Sequence, residues 1–348
     1  MNRARNRLIQ VRGDDETVKE VAIAIIIALS VAAASAAVSF YRYATSGDKA
    51  HKKTAVIWIK PGQSFSETVT RLQELGLVRH PRRFRLLARL RGDDKRIQAG
   101  EYLLHASMSP AGILNSLVRG ESILHKVVIP EGSTISRIGR ILEKAGLMSK
   151  EAFLKAASDP ELMQALGVEG DTFEGFLFPD TYYFPKGVTP EQVIRKMVAS
   201  FRSVFTAAWT ERARAMGLTI HQVVTLASIV EKETAKAEER PLIAAVFLNR
   251  LRRHMRLESD PTVIYGIQDF DGNLTRKDLD TVTPYNTYRI GGLPPGPISN
   301  PGRASIEAIL YPSEKPYLYF VSKNDGSHHF SRTLSEHKKM VRRYQQRR

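Results

Sequence analysis

Cysteine is absent from the 348 residues. That excludes a disulfide framework, a thiolate metal site and a lipid-modified cysteine, and it leaves the redox compartment unread. Acidic residues are in short supply, with 36 Asp and Glu against 52 Lys and Arg, a formal charge of +16. Such an imbalance predicts attraction to polyanions: nucleic acid, anionic lipid or an acidic wall polymer. The rest of the composition is ordinary for a globular protein. The length supports two or three domains with cores of their own.

Long uncharged runs are scarce, and the exception decides the topology. "VAIAIIIALSVAAASAAVSF", residues 21–40, carries no charge and has the length of a bilayer-spanning helix. Arg3, Arg5, Arg7, Arg12 and Lys19 precede it, and Tyr41, Arg42 and Tyr43 follow. The basic tail favours a cytoplasmic N-terminus, although Lys49, Lys52 and Lys53 on the far side weaken the contrast. A cleaved signal peptide is the alternative, since "AAASAA" offers small residues. The run exceeds a usual signal core, which favours an uncleaved single-span anchor. The expected order is a cytoplasmic tail (1–20), a transmembrane helix (21–41), a linker (42–53), and everything beyond it outside the cytoplasm.

Two stretches of the exported part share one plan. "AVIWIKPGQSFSETVTRLQELGLV" and "KVVIPEGSTISRIGRILEKAGLM" each read as strand, turn and amphipathic helix. Pro61 matches Pro130, Ser64 matches Ser133 as a helix cap, and Gly76 and Gly146 end the helices. "AGEYLLHASMSPAGIL" and "EGFLFPDTYYFPKGVTPEQVI" extend the parallel, so two βααβ-like units are expected over about 54–123 and 124–200. Beyond residue 201 the pattern turns helical. Thr219 and Gln222 form a capping box ahead of "IHQVVTLASIVEKE", and Pro241 sits in the first turn of a second helix. A long Pro-, Gly- and Tyr-rich segment follows, then a hairpin around Asn324, Asp325 and Gly326 and a basic helix.

"LASIVEKETA" places Glu231 and Glu233 at the end of an apolar run. At about 100° per residue, Glu233 falls on the shoulder of the stripe formed by Val223, Leu226 and Val230, and Glu231 falls towards the opposite side. Glu233 is therefore the carboxyl expected to be partly desolvated, and the negative end of the helix dipole acts in the same direction. Both effects favour the protonated acid that glycosidic-bond cleavage requires. A solvated charge patch is the plainer reading of "EKE" taken alone.

The company of those residues is more specific. "ASIVEKETAKAEERPLIAAVFLNRL", "MRLESDPTVIYG", "TPYNTYRIGGLPPGPISNPG", "KPYLYFVS" and "EGFLFPDTY" resemble the YceG-like endolytic murein transglycosylases. The resemblance implies an inner-membrane anchor with the catalytic domain on the periplasmic side. It also implies a LysM-like glycan-binding unit within 54–123 and a transglycosylase domain over 124–348, its helical lobe carrying the active-site glutamate. The implied fold class is α+β, with no cofactor and no metal. The implied reaction cuts nascent peptidoglycan strands between MurNAc and GlcNAc, leaves 1,6-anhydroMurNAc ends and terminates elongation. The catalytic glutamate maps to Glu233. Glu231 is expected to hold the helix or a neighbouring base.

Glycan contacts are expected from Tyr285, Asn286, Thr287 and Tyr288 in "PYNTY", from Asp260, Thr262 and Tyr265 in "DPTVIYG", and from Asn249. "GLPPGPISNPG" reads as a rigid groove wall. Adjacent strand positions send His328 and His329 to opposite faces, which argues against a metal pair. Expected partners are glycan strands, membrane lipid through the anchor and peptidoglycan synthases. The rival readings are a non-catalytic glycan-binding scaffold, and nucleic-acid binding through "RHPRRFRLLARLRGDDKR" and "HKKMVRRYQQRR". No nucleic-acid fold surrounds those runs and the anchor puts them on the wrong side. A lyase using pyridoxal phosphate would need a lysine to hold the cofactor and a phosphate cradle, and the sequence offers no convincing candidate for either.

Overall fold

The computed structural model describes the backbone of residues 2–47 and 53–345, with side chains from residue 19 onward. The fold is mixed α+β, and the chain divides into two compact units. One comprises Met1–Ile123 with Pro185–Gly187, the other Leu124–Phe184 with Val188–Arg348.

The first unit opens with helix α1 (Asn2–Thr45), long and apolar enough to cross a membrane over Lys19–Thr45. Val21, Ile25 and Leu29 along it are exposed, with no protein packed against them. The helix outruns the expected boundary at residue 41. Its last turn stays helical because Ala44 is buried in the core of the unit and Phe40 packs on that core. The rest of the expected linker falls in part, with Lys49 and Lys52, outside the described residues.

Then come β1 (Thr54–Ile59), α2 (Phe65–Glu74), α3 (Pro81–Arg91), β2 (Gly100–His105) and α4 (Pro110–Arg119). Ser64 caps α2 in a reciprocal box with Glu67, as its spacing requires. The strands pair antiparallel, Ile57 opposite Tyr102 and Val56 opposite Leu103. Their period of two sends Ile57, Ile59, Tyr102 and Leu104 into a core with Val69, Leu72, Phe84 and Leu114. Val56, Trp58 and Leu103 stay exposed on the other face.

The second unit begins with a similar order that carries one extra helix, α7, before its second strand: β3 (Leu124–Val128), α5 (Ile135–Lys144), α6 (Lys150–Ala157), α7 (Pro160–Ala165), β4 (Thr181–Pro185) and α8 (Pro190–Val204). Ser109 and Thr189 occupy matching positions, each capping a helix opened by proline. One cap departs from expectation. Thr134 caps α5, while the Ser133 hydroxyl donates to the Pro130 carbonyl and its backbone bridges to Asn300.

The helical part follows with α9 (Ala207–Ala215), α10 (Ile220–Glu233), α11 (Arg240–Arg252), α12 (Asp260–Gly266), α13 (Arg276–Asp280) and α14 (Arg303–Leu310). The hairpin β5 (Tyr319–Ser322) and β6 (His328–Ser331) and the basic helix α15 (Leu334–Tyr344) complete it, as the turn residues indicated. The Thr219 capping box opens α10, and every residue from Val223 to Val230 is buried against α11, α14 and the loops around them.

Gly175 brings one of those loops onto α10. It has φ +87°, and an added Cβ would lie 2.5 Å from Cγ of Pro297 and 2.7 Å from Val224. Gly175→Ala is expected to destabilise the fold by at least about 1–3 kcal/mol, the usual cost of forcing a side chain into that backbone region. Thermal unfolding followed by circular dichroism checks it, and an unchanged midpoint would contradict the close approach.

Candidate active site

A helix buried on every side presents no solvent stripe, so its chemistry is confined to its ends. At the C-terminal end of α10, Thr234 turns the chain into an extended conformation. Glu233 is left half-buried at a cleft of about 430 Å³, lined also by Arg250, Glu258, Asp260, Tyr288, His328 and His337.

The Ser259 hydroxyl donates to Oε1 of Glu233 at 2.5 Å. Ser259 is held in turn by buried threonines. Its N–H donates to the Thr287 hydroxyl (3.0 Å), the Thr262 hydroxyl donates to the Ser259 carbonyl (2.6 Å), and the two threonine hydroxyls lie 2.8 Å apart. Burial pushes the Glu233 carboxyl up to about 7. The Ser259 hydrogen bond opposes that rise, the Asp260 charge adds to it, and the Arg250 charge opposes it again. Near neutrality this carboxyl can both give and take a proton.

The surroundings of the cleft are rigid. Arg250 is buried and donates to the carbonyls of Leu318 (2.7 Å), Arg256 (3.1 Å) and Leu257 (2.9 Å) and to the Glu258 carboxylate (3.0 Å). Glu258 adopts φ +50°, rare for a side-chain-bearing residue, and its N–H donates to the Thr287 carbonyl. Asp260 opens α12 and accepts the Tyr288 hydroxyl at 2.6 Å. Across the cleft, Glu239 takes both the N–H (2.8 Å) and Nδ1 (2.6 Å) of His328. Burial raises the Glu239 carboxyl, but the His328 donors outweigh it and the net shift is downwards.

The expected contact residues separate into three groups. Asp260 and Tyr288 line the cleft with Glu233. Thr262, Asn286 and Thr287 are fully buried, and so is Ser259 within 1%. The Asn286 amide donates to the carbonyls of Asp278, Leu279 and Thr281, so it shapes the loop and has no surface for a glycan. Asn249 likewise donates to the carbonyls of Lys315 and Tyr317, tying α11 to the approach of β5. Tyr265 and Tyr285 pack against each other with ring planes tilted by 57° and centroids 4.9 Å apart, and the Tyr265 hydroxyl donates to Glu174 at 3.3 Å; neither lines the cleft.

The face argument for the two glutamates needs correction. The Glu231 side chain is only 7% exposed, because the far side of α10 is covered as well. It accepts the Gly302 N–H at 2.9 Å and lies 3.8 Å from Arg240. Glu131 joins this cluster: burial raises its carboxyl, the Glu231 charge adds to that, and Arg240 opposes both. Glu231 is a strut between α10 and the 300–302 segment. The rest of the Pro- and Gly-rich stretch 292–302 does not line the Glu233 cleft, and its later residues are tied into the interior. The Ile298 N–H donates to Ser228, and the Asn300 amide donates to the Ser133 carbonyl and to Glu174, all of them buried.

Ser259, Arg250, Glu258 and Glu174 were not singled out from the sequence. Ser259 adjoins Asp260, but a serine before an aspartate carries no signal until folding sets it on Glu233. Glu174 is buried in "EGFLFPDTY", accepts the Ile135 N–H with both oxygens, and is pushed up to about 8 by burial against the pull of its hydrogen bonds.

Comparison with known proteins finds matches over most of the chain. Residues 57–343 match the model of the YceG-like family. The endolytic murein transglycosylase of Bacillus subtilis (strain 168) is 31% identical over 313 residues, 85% of this chain and 86% of that protein. The endolytic murein transglycosylase of Streptococcus pneumoniae (strain ATCC BAA-255 / R6) is 31% identical over 326 residues, 84% of this chain, which spans 59% of that protein. The crystal structure of a yceG-like protein from Listeria monocytogenes superposes with a TM-score of 0.58 at 34% identity, covering 83% of this chain and 99% of that one. With its family match, its relatives and its fold in agreement, the chain belongs to the YceG-like family.

Proposed function

We propose that this protein is a lytic murein transglycosylase, with Glu233 as its general acid and base. The observation that carries the reading is one half-buried carboxyl at the mouth of a polar cleft, held by a serine hydroxyl and poised near neutrality. Glu233 protonates the bridging oxygen between MurNAc and GlcNAc as its bond to the anomeric carbon breaks. The 6-hydroxyl of the same MurNAc then bonds to that carbon, and Glu233 takes the hydroxyl proton. No water is consumed, the carboxyl regains its starting state, and the product ends in 1,6-anhydroMurNAc. Because the nucleophile is already tethered, one enzyme carboxyl suffices. Asp260 and Tyr288 offer an acceptor and an aromatic face to the bound sugar.

The remaining assignments follow the same reading. α1 spans the inner membrane as the single anchor, its basic end cytoplasmic, and the rest lies on the periplasmic side where new strands emerge. Residues 54–123 form a LysM-like glycan-binding unit, a reading supported by the order β1, α2, α3, β2 with antiparallel strands. Residues 124–348 form the catalytic domain. Cutting within nascent strands ends their elongation, which makes the glycan-polymerising synthases the expected partners.

Glu233→Gln is expected to leave the fold intact and lower turnover by roughly two to four orders of magnitude. Mass analysis of fragments from peptide-free glycan strands measures this. Anhydro ends from the wild type alone support the reading, reducing ends would mean that water attacks, and no fragments from folded wild type would favour a binding scaffold. Glu231→Gln should keep most activity and lose about 1–3 kcal/mol of stability, since it weakens a buried polar strut rather than the acid.

The pH profile supplies an independent check. A general acid works protonated, so activity should hold on the acid side and fall as pH rises through about 7, where Glu233 loses its proton. Ser259→Ala removes a donor that favours the carboxylate and should move the falling limb to higher pH. Asp260→Asn removes a neighbouring negative charge and should move it lower. Shifts of the same sign in both variants would contradict the electrostatic assignment.

A further inference from the structure

α3 has an outer face that its own unit does not use. Phe84, Leu87 and Ala88 face the core, while Leu86 and Leu90 are 48% and 70% exposed. Four residues apart, these two leucines share one side of the helix. Arg82 and Arg89 flank them on one shoulder and Arg83 on the other, all three exposed, and α3 contains no acidic residue. Asp93, just beyond the helix, is turned inwards and paired with Arg91 (2.8 Å) and Arg96 (3.4 Å). Leucines along the centre of a helix face with arginines on both edges form the pattern of a helix lying in a lipid interface.

The position of α3 selects the occupant. Tyr43, in the last turn of α1, donates its hydroxyl to the His80 carbonyl at 3.2 Å, and its ring lies 5.9 Å from that of His80. The Arg83 guanidinium stands 5.7 Å from the centre of the Tyr43 ring. Ala44 is buried in the core that α3 helps to build, so α1 enters the unit without a flexible joint. Tyr43 is three residues past Phe40, the end of the uncharged run, a rise of about 4.5 Å along the helix. The start of α3 is thereby held at headgroup depth.

We propose that the outer face of α3 lies on the anionic phospholipid surface of the leaflet from which α1 emerges. Leu86 and Leu90 enter the acyl boundary, and Arg82, Arg83 and Arg89 reach the lipid phosphates. The proposal rests on reading α1 as a membrane span. Continuity with that span and charge complementarity favour lipid over a glycan strand or a second copy of the chain.

The lack of cysteine makes the test direct. Leu90→Cys, and Leu103→Cys on the exposed face of β2 as control, each take one polarity-sensitive fluorophore in the full chain. The labelled proteins are placed in nanodiscs of phosphatidylcholine with or without phosphatidylglycerol. The expected result is a blue shift at Leu90 in anionic discs, no shift at Leu103, and loss of the Leu90 shift when Arg82, Arg83 and Arg89 are all changed to Gln. A Leu90 label as water-exposed as the control would overturn the proposal, as would equal shifts in both lipids. A shift that requires two copies per disc would also overturn it, in favour of self-contact. Carbonate extraction tests the span separately. Release from the bilayer sinks the reading of α1, whereas retention with an exposed Leu90 label sinks only the seating of α3.

Discussion

The Ser259 hydroxyl on Glu233 is the contact around which the second unit is arranged. Burial alone would leave a carboxyl at the end of an apolar helix either neutral or costly, and a single strong donor moderates that cost while fixing which oxygen faces the cleft. Ser259 can serve only if its own backbone is immobile. Thr287 supplies that immobility from a loop and Thr262 from the first turn of α12, and Asn286 fixes the loop that carries Thr287. A short chain of buried hydroxyls therefore stands between a Pro- and Tyr-rich segment and the Glu233 carboxyl.

The same helix makes a different use of its other glutamate. Glu231 faces the 300–302 segment, where Gly302 offers its N–H and where an added Cβ would lie 1.9 Å from Glu131. Two acids two residues apart are separated in role by what covers them. One meets an open cleft and a hydroxyl donor, the other a backbone amide and a half-shared arginine. That division is consistent with a reaction in which the substrate brings its own nucleophile.

In the first unit the governing constraint is the lack of a joint. α1 does not stop at the end of its uncharged run; its last turn is part of a small hydrophobic core, together with the strands and helices that follow. A helix that continues into a packed core transmits its position rigidly, so the basic and leucine-bearing face of α3 is held close to the end of that run.

Much of this could be read before folding was considered. The uncharged run of α1, the helix cap at Ser64, the capping box at Thr219 and the turn at Asn324 to Gly326 are local features, set by interactions within a few residues. The choice of Glu233 over Glu231 also came from the sequence, although its stated reason, one wet and one dry side of α10, gave way to burial on both. The roles of Asn249, Thr262, Asn286 and Thr287 could not be read, because a polar side chain has the same chemistry facing a sugar as facing a carbonyl. Ser259 and Arg250 gave no signal at all. Sequence determined most of the elements and placed a carboxyl at the end of one apolar helix, since those depend on local backbone preference and apolar period. Only the tertiary structure decided which hydroxyl touches that carboxyl and that Asn249 ties α11 to the approach of β5, because those contacts join residues 26 to 68 positions apart and exist only once the core has closed.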